Sequence, residues 1–222
     1  MLFQQIRSAP TGAYSYLIAD RDARVAVIVD PVDDNIDVLL ALIGDLRLSL
    51  RLLLLTHVHS QSGRCAVALR DRVGGRIVAS VACEFAQADR QVEHGDDLAF
   101  GDEVIHVIGT PGHTLCSICF RWRDRVFTGD TLLMGGCGDI ASPGADPGSL
   151  FDSVTERLFA LPPETLVFPG FDAAGRTVST IAEEKAANPR FSGRSRDAFV
   201  TMMADAGVAP ARPQVRETLA SR

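Results

Sequence analysis

The sequence predicts an α/β protein in which two sheets, covered by helices on their outer faces, fold together as one domain. Three observations carry this. Apolar spacing passes from strand-like to helical and back, giving a β-rich opening, a mixed stretch, a second β-rich stretch and a helical end. No low-complexity linker or internal repeat divides these regions. A length of 222 residues is enough for one domain with a substantial core.

The elements follow in order. "YSYLIAD" and "VAVIVDPV" are β-rich runs separated by the polar turn "RDAR", which reads as an antiparallel hairpin. "DDNIDVLLALIGDL" changes to helical spacing, with aspartates at the start where the helix dipole favours them. The four consecutive leucines of "RLLLLTHVHS" lie between that helix and a helix-like "GRCAVALRDRVG", as expected of a strand buried on both faces. "RIVAS" is a short strand, and "DLAFGDEVIHVIGTPGHT" reads as two strands joined at "GD" and ending in a Gly/Pro turn. "CSICFRW" and "RVFTGD" are strands, while "GGCGDIASPGADPGS" has too little apolar content to be more than a loop. The pattern then predicts a helix at "SLFDSVTERLFAL", a strand at "TLVFPG", and helices at "TVSTIAEEKAAN" and "SRDAFVTMMADAG", the last stopped by Gly207. The expected domain is residues 1–207, with 208–222 as an extended tail.

Composition narrows the function classes. The net charge of -6 leaves no concentrated basic face to displace the counterions of nucleic acid. The longest apolar run falls far short of the ~20 residues that span a bilayer, and no secretory h-region follows the N-terminus. Five cysteines without a disulfide-framework spacing suit a reducing compartment, so the expected location is cytoplasmic. The expected partner is a small molecule rather than a nucleic acid or membrane, and a homodimer is compatible with the chain.

Candidate chemistry gathers at strand ends. His57, His59, His113 and Asp130 each follow a predicted strand, in turns rich in Gly, Pro or Thr. Neutral imidazoles and a carboxylate suit zinc, iron or manganese. His94, before a "GDD" turn, and His106, mid-strand in "EVIHVIG", are expected to be structural, with His106 half-buried. "CSIC" has redox spacing but falls in a predicted strand, where residues three apart face opposite sides.

In their order, "THVHSQSG", "TPGHT", "FTGD" and "VFPG" resemble the metal-binding motifs of the metallo-β-lactamase superfamily, and within it the persulfide dioxygenases, related to glyoxalase II. "YLIADRDARVAVIVDPV", "FTGDTLLMGGCG" and "NPR" before a helix extend the resemblance over nearly the whole chain. It implies an αββα sandwich with a metal site at one edge. The family motif His-x-His-x-Asp-His is matched at His57 and His59, whereas Gln61 and Ser62 replace its last two ligands, and Phe171 replaces a later histidine. In two-metal relatives, one ion uses the residues matched by His57, His59 and His113, and the other those matched by Gln61, Ser62 and Phe171, with Asp130 bridging. Every private ligand of the second site is therefore gone, which predicts one metal per chain.

The resemblance implies one Fe(II), with zinc as the alternative ion, held by His57, His113 and Asp130. The implied reaction is oxidation of a low-molecular-weight thiol persulfide by O2 to sulfite and free thiol. His59 would orient a ligand or water beside the metal, and Cys137 would carry or accept sulfane sulfur. Gly135 and Asp139 stand where the resembling enzymes carry arginines, so the resemblance implies altered recognition of an anionic carrier such as glutathione, and Ala173 stands where they carry a tyrosine, which removes a hydrogen-bond donor near the iron. Two rival functions are a non-catalytic binding or scaffold protein of this fold, and a one-metal thioester hydrolase similar to glyoxalase II.

Overall fold

The computed structural model describes residues 1–58 and 60–206, the side chains of Ser60, Gln61 and Ala206 excepted. His59, Gly207 and the tail 208–222 lie outside the described residues.

Leu2–Arg7 (β1), Tyr14–Asp20 (β2) and Val25–Val29 (β3) open the chain as an antiparallel meander. Ile36–Asp45 (α1), Ser49–Leu54 (β4), Ser60–Val73 (α2), Arg76–Ser80 (β5) and Arg90–Val92 (β6) follow. From β3 to β6 the strands pair in parallel, and α1 and α2 supply the crossovers that parallel pairing requires. Asp97–Phe100 (β7), Glu103–Gly109 (β8), Ile118–Trp122 (β9) and Arg125–Gly129 (β10) form a second antiparallel run. Pro147–Asp152 (α3) continues into a π-helical segment, Ser153–Leu158, before Leu166–Pro169 (β11) returns parallel to β10. Ser179–Thr180 (β12), Ile181–Ala187 (α4) and Arg196–Ala206 (α5) complete the described chain.

The result is two six-stranded sheets, β1-β2-β3-β4-β5-β6 and β12-β11-β10-β9-β8-β7, in an αββα arrangement. Tyr16, Ile18, Leu52, Leu54, Phe120 and Phe127 fill the space between the sheets. Leu17, Ala19, Leu53 and Leu55 point the other way, to pack with Leu39 of α1 and Leu69 of α2. This explains the unbroken leucine run: successive side chains enter two different cores, so both faces must be apolar. Leu150, Val154, Ile181 and Phe199 cover Val126 and Val167 on the outer face of the second sheet.

The structure corrects several expectations. β1, β6 and β12 are strands with no clear signal in sequence; all three lie at or near sheet ends, where half-exposed side chains blur the period. His106 is exposed on β8 and paired to Asp97 at 2.6 Å, because its strand turns that face to solvent. The cysteines are not all free: Cys83 and Cys116 are bonded, 33 residues apart, because tertiary folding brings two loops together that no local spacing connects. Cys119 does not join Cys116; it is buried in β9, hydrogen-bonded with Thr110. Among the described residues, no helix is long and apolar enough to cross a membrane.

Candidate metal centre

The strands β3, β4, β8, β10 and β11 all end at the same edge of the sandwich, and each is followed there by a residue of the site. After β4 come Thr56 and His57; the β8–β9 loop carries His113; β10 ends at Gly129 and Asp130; β11 leads to Gly170 and Phe171. Backbone hydrogen bonds sew these ends together: Ile118 N–H donates to the Thr56 carbonyl across the two sheets, and Gly170 N–H to that of Gly129. Gly129 has φ +52, and a Cβ there would lie 2.3 Å from Thr56 Oγ1, so only glycine allows the two sheets to meet this closely.

His57, His113 and Asp130 each offer one ligand atom, and these atoms lie within 4.8 Å of one another. Among the described residues, no other group of three His, Cys, Asp or Glu side chains meets this test. His113 and Asp130 are buried, and their Nε2 and Oδ2 are 3.8 Å apart, less than twice a metal–ligand bond of about 2.1 Å. The hydrogen bonds set the ring tautomers. The Asp139 carbonyl can only accept, so the 2.7 Å contact puts a proton on His113 Nδ1 and turns the Nε2 lone pair toward Asp130. Thr56 Oγ1 donates its one proton to Asp30 Oδ2 at 2.7 Å, which leaves it to accept from His57 Nδ1 at 3.1 Å. With Nδ1 the protonated nitrogen of each ring, Nε2 is the nitrogen that would ligate a cation, and the donor set fits one divalent ion of the zinc or iron type.

Asp30 was not singled out from sequence, although it too follows a strand. Its φ of +48 is unusual for a residue with a Cβ, and its carboxylate accepts from both Thr56 N and Thr56 Oγ1. Burial, with the charge of Asp130 adding, pushes its carboxyl up from 3.8 to about 7 against those hydrogen bonds. Because the folded chain then holds this proton more tightly than the unfolded one, metal-free protein should lose stability as pH rises from 4 to 7, by about 1.4 kcal/mol per unit. Asp30→Asn should flatten that dependence. Urea denaturation of metal-free protein at pH 5 and 7.5 checks this: an equal pH slope in parent and variant would refute it.

The Gly-Cys-Gly loop presses on the centre from one side. A Cβ on Gly138 would lie 2.6 Å from both the Asp130 carbonyl oxygen and His113 Nδ1. Buried Glu184 accepts from Gly135 N–H at 2.9 Å, and buried Asn188 donates to the Gly136 carbonyl at 3.0 Å, so α4 and the "NPR" turn hold this loop in place. The Cys137 thiol is pushed up to about 12 by burial, with Arg190 opposing and Asp139 adding to the shift. It packs against the outer core, and a protonated thiol there counts against a nucleophilic role. The Asp139 side chain is exposed, while the Arg176 guanidinium lies beside Gly135 and pairs with Asp172 at 3.1 Å. A cation therefore stands near one of the two positions where the sequence lacks an arginine. Phe171 bridges to Ala13 through its backbone, and its ring lies against Gly12.

A cavity of about 300 Å³ opens beside the cluster, next to Val58 and Thr114, the residues that follow His57 and His113. Cys83, Phe85, Leu115 and Cys116 also line it, and among the described residues its one charged lining residue is Glu84.

Residues 70–170 match the family model of the metallo-beta-lactamase superfamily. Persulfide dioxygenase ETHE1, mitochondrial, of Bos taurus is 35% identical over 205 residues, covering 91% of this chain and 80% of its own length. A probable polyketide biosynthesis zinc-dependent hydrolase, BaeB, of Bacillus velezensis is 33% identical over 162 residues, covering 71% of this chain and 72% of its own. The crystal structure of ETHE1 from Myxococcus xanthus superposes with a TM-score of 0.90 at 42% identity, covering 96% of this chain and 93% of that one. With strand ends, donor set and sequence in agreement, the chain belongs to the metallo-beta-lactamase superfamily, in the group that contains the persulfide dioxygenases.

Proposed function

We propose that this enzyme is an iron-dependent persulfide dioxygenase with a mononuclear site, converting R–S–SH, O2 and water to R–SH and sulfite. The observation that carries the reading is the set of two histidines and one carboxylate, His57, His113 and Asp130, on a pocketed edge of the fold. His57, His113 and Asp130 would hold an Fe(II) ion, which would supply the one-electron chemistry that O2 needs to react. The chain's own residues do the rest. Thr56 and the Asp139 carbonyl hold the two rings in orientation, and half-buried Val58 and Phe85 give the adjoining cavity part of an apolar lining. Since Glu84 is the one charged residue among the described residues that line the cavity, the reading favours a carrier less anionic than glutathione. His59, outside the described residues, keeps its proposed role of orienting a ligand or water. A cytoplasmic location also belongs to this reading, and there the Cys83–Cys116 bond would be reversible rather than permanent.

Anaerobically Fe(II)-loaded protein should consume one O2 for each sulfite formed. No O2 uptake with the persulfides of glutathione, coenzyme A and cysteine would overturn the proposal. The hydrolase similarity supports a second reading, a zinc-dependent thioesterase. It would be favoured if zinc-loaded protein cleaved thioesters while the iron form stayed inert to persulfides.

The chain should bind at most one transition metal, since Gln61, Ser62 and Phe171 occupy the positions of the second ion's private ligands. Elemental analysis after desalting should give a value near one per chain. Two tightly held ions would contradict this.

A further inference from the structure

The Cys83–Cys116 pair is the reactive group that the proposed dioxygenase chemistry leaves unused. Its Cα atoms are 5.1 Å apart, within the span of a disulfide. Cys83 lies on the segment after β5, and Cys116 lies on the loop of His113, so the bond joins two walls of the cavity beside the metal centre. Both residues line that cavity, and Val58, Phe85 and Ala88 pack around them. Thr114 Oγ1 is 3.6 Å from Cys116 Sγ, placed to donate to a thiolate when the bond is open. A persulfide brought to this cavity would therefore meet two sulfurs, beside Val58 and Thr114, the residues that follow His57 and His113.

Resting on the persulfide reading above, we propose that Cys83 and Cys116 form a second reactive site, a dithiol that removes the outer sulfur of a bound persulfide and closes to the disulfide. A thiolate of the pair attacks the outer sulfur of R–S–SH. A new bond joins the cysteine sulfur to that outer sulfur, the R–S bond to it breaks, and R–S⁻ leaves to take a proton as R–SH. The second cysteine, as thiolate, then attacks its persulfidated partner's Sγ, forms the Cys83–Cys116 bond and expels hydrosulfide. In total, two protein thiols and R–S–SH give the disulfide, R–SH and hydrogen sulfide: the protein loses two electrons and the outer sulfur gains them. Two molecules of a low-molecular-weight thiol reopen the bond and leave as their own disulfide.

The test uses full-length, metal-loaded protein, reduced with dithiothreitol, desalted, and kept free of O2 so that dioxygenase turnover cannot contribute. Cysteine persulfide is added, the small molecules are removed, and thiols are titrated after denaturation. Titratable thiols should fall from five to three per chain, peptide mapping should link Cys83 to Cys116, and dithiothreitol should restore five. In Cys83→Ser and Cys116→Ser, the remaining cysteine should instead accumulate as a persulfide, heavier by one sulfur atom. Five thiols retained by the parent, a loss that maps to Cys65, Cys119 or Cys137, or a bond that dithiothreitol cannot open in the folded chain would each overturn the proposal. Because no O2 is present, the two readings fail separately. Thiol loss without aerobic O2 uptake removes the dioxygenase and keeps this site, and O2 uptake with five thiols retained does the reverse.

Discussion

His113→Ala and Asp130→Ala should each abolish tight metal binding, and with it any O2 consumption, while leaving the fold intact. Each removes one of three donors, and Asp130 is also the one carboxylate of the set. Losing even an outer partner of a metal ligand commonly costs 10- to 100-fold in affinity, so losing a ligand should cost at least about 100-fold. The folded chain should tolerate the change, because both side chains lie at the edge of the sandwich, outside the apolar layers that hold the sheets together. His106→Ala is the control. That residue is exposed and paired only at the surface with Asp97, a contact worth less than about 1 kcal/mol. Metal content by elemental analysis and O2 uptake at an electrode decide the outcome. Full metal content in either ligand variant would remove His57, His113 and Asp130 as the site.

Gly138→Ala should be nearly as damaging, though Gly138 offers no side chain to the chemistry. Its added Cβ would meet His113 Nδ1 and the Asp130 carbonyl oxygen at 2.6 Å, too close for either contact to stand, so something must shift. The loop cannot retreat easily, because Gly138 N–H bonds to that same carbonyl and Glu184 and Asn188 hold the loop from behind. The imidazole must therefore shift, losing its bond to the Asp139 carbonyl. A displacement of about 1 Å at a reacting centre can cost on the order of 100-fold, which is the expected fall in kcat/KM. Gly44→Ala makes the contrast: in α1 a Cβ there meets nothing within 4 Å, and alanine should stabilise the helix by roughly 0.5–1 kcal/mol. Kinetics and thermal melts of both variants check the pair. Wild-type kinetics in Gly138→Ala would show that the loop does not constrain His113.

Local pattern settled much of the fold. The helical spacing of "DDNIDVLLALIGDL" and the leucine run before His57 each record which way a side chain faces, and that is a property of a few neighbouring residues. The strand-end positions of His57, His113 and Asp130 were legible for the same reason, and their order along the chain carried the family resemblance.

What the tertiary structure alone decided was proximity between distant segments. Asp30 supports His57 through Thr56, Glu184 and Asn188 hold a loop some fifty residues earlier, and Cys83 meets Cys116 across two turns. None of these pairs shares a period or a spacing, because each depends on where two sheet edges come to rest after the core has formed. The sequence by itself determined the layers, the strand ends and the chemical kinds of the metal-site residues. Packing of the two sheets determined that their ligand atoms converge, since a distance across a sandwich depends on the volume of the apolar side chains between its layers.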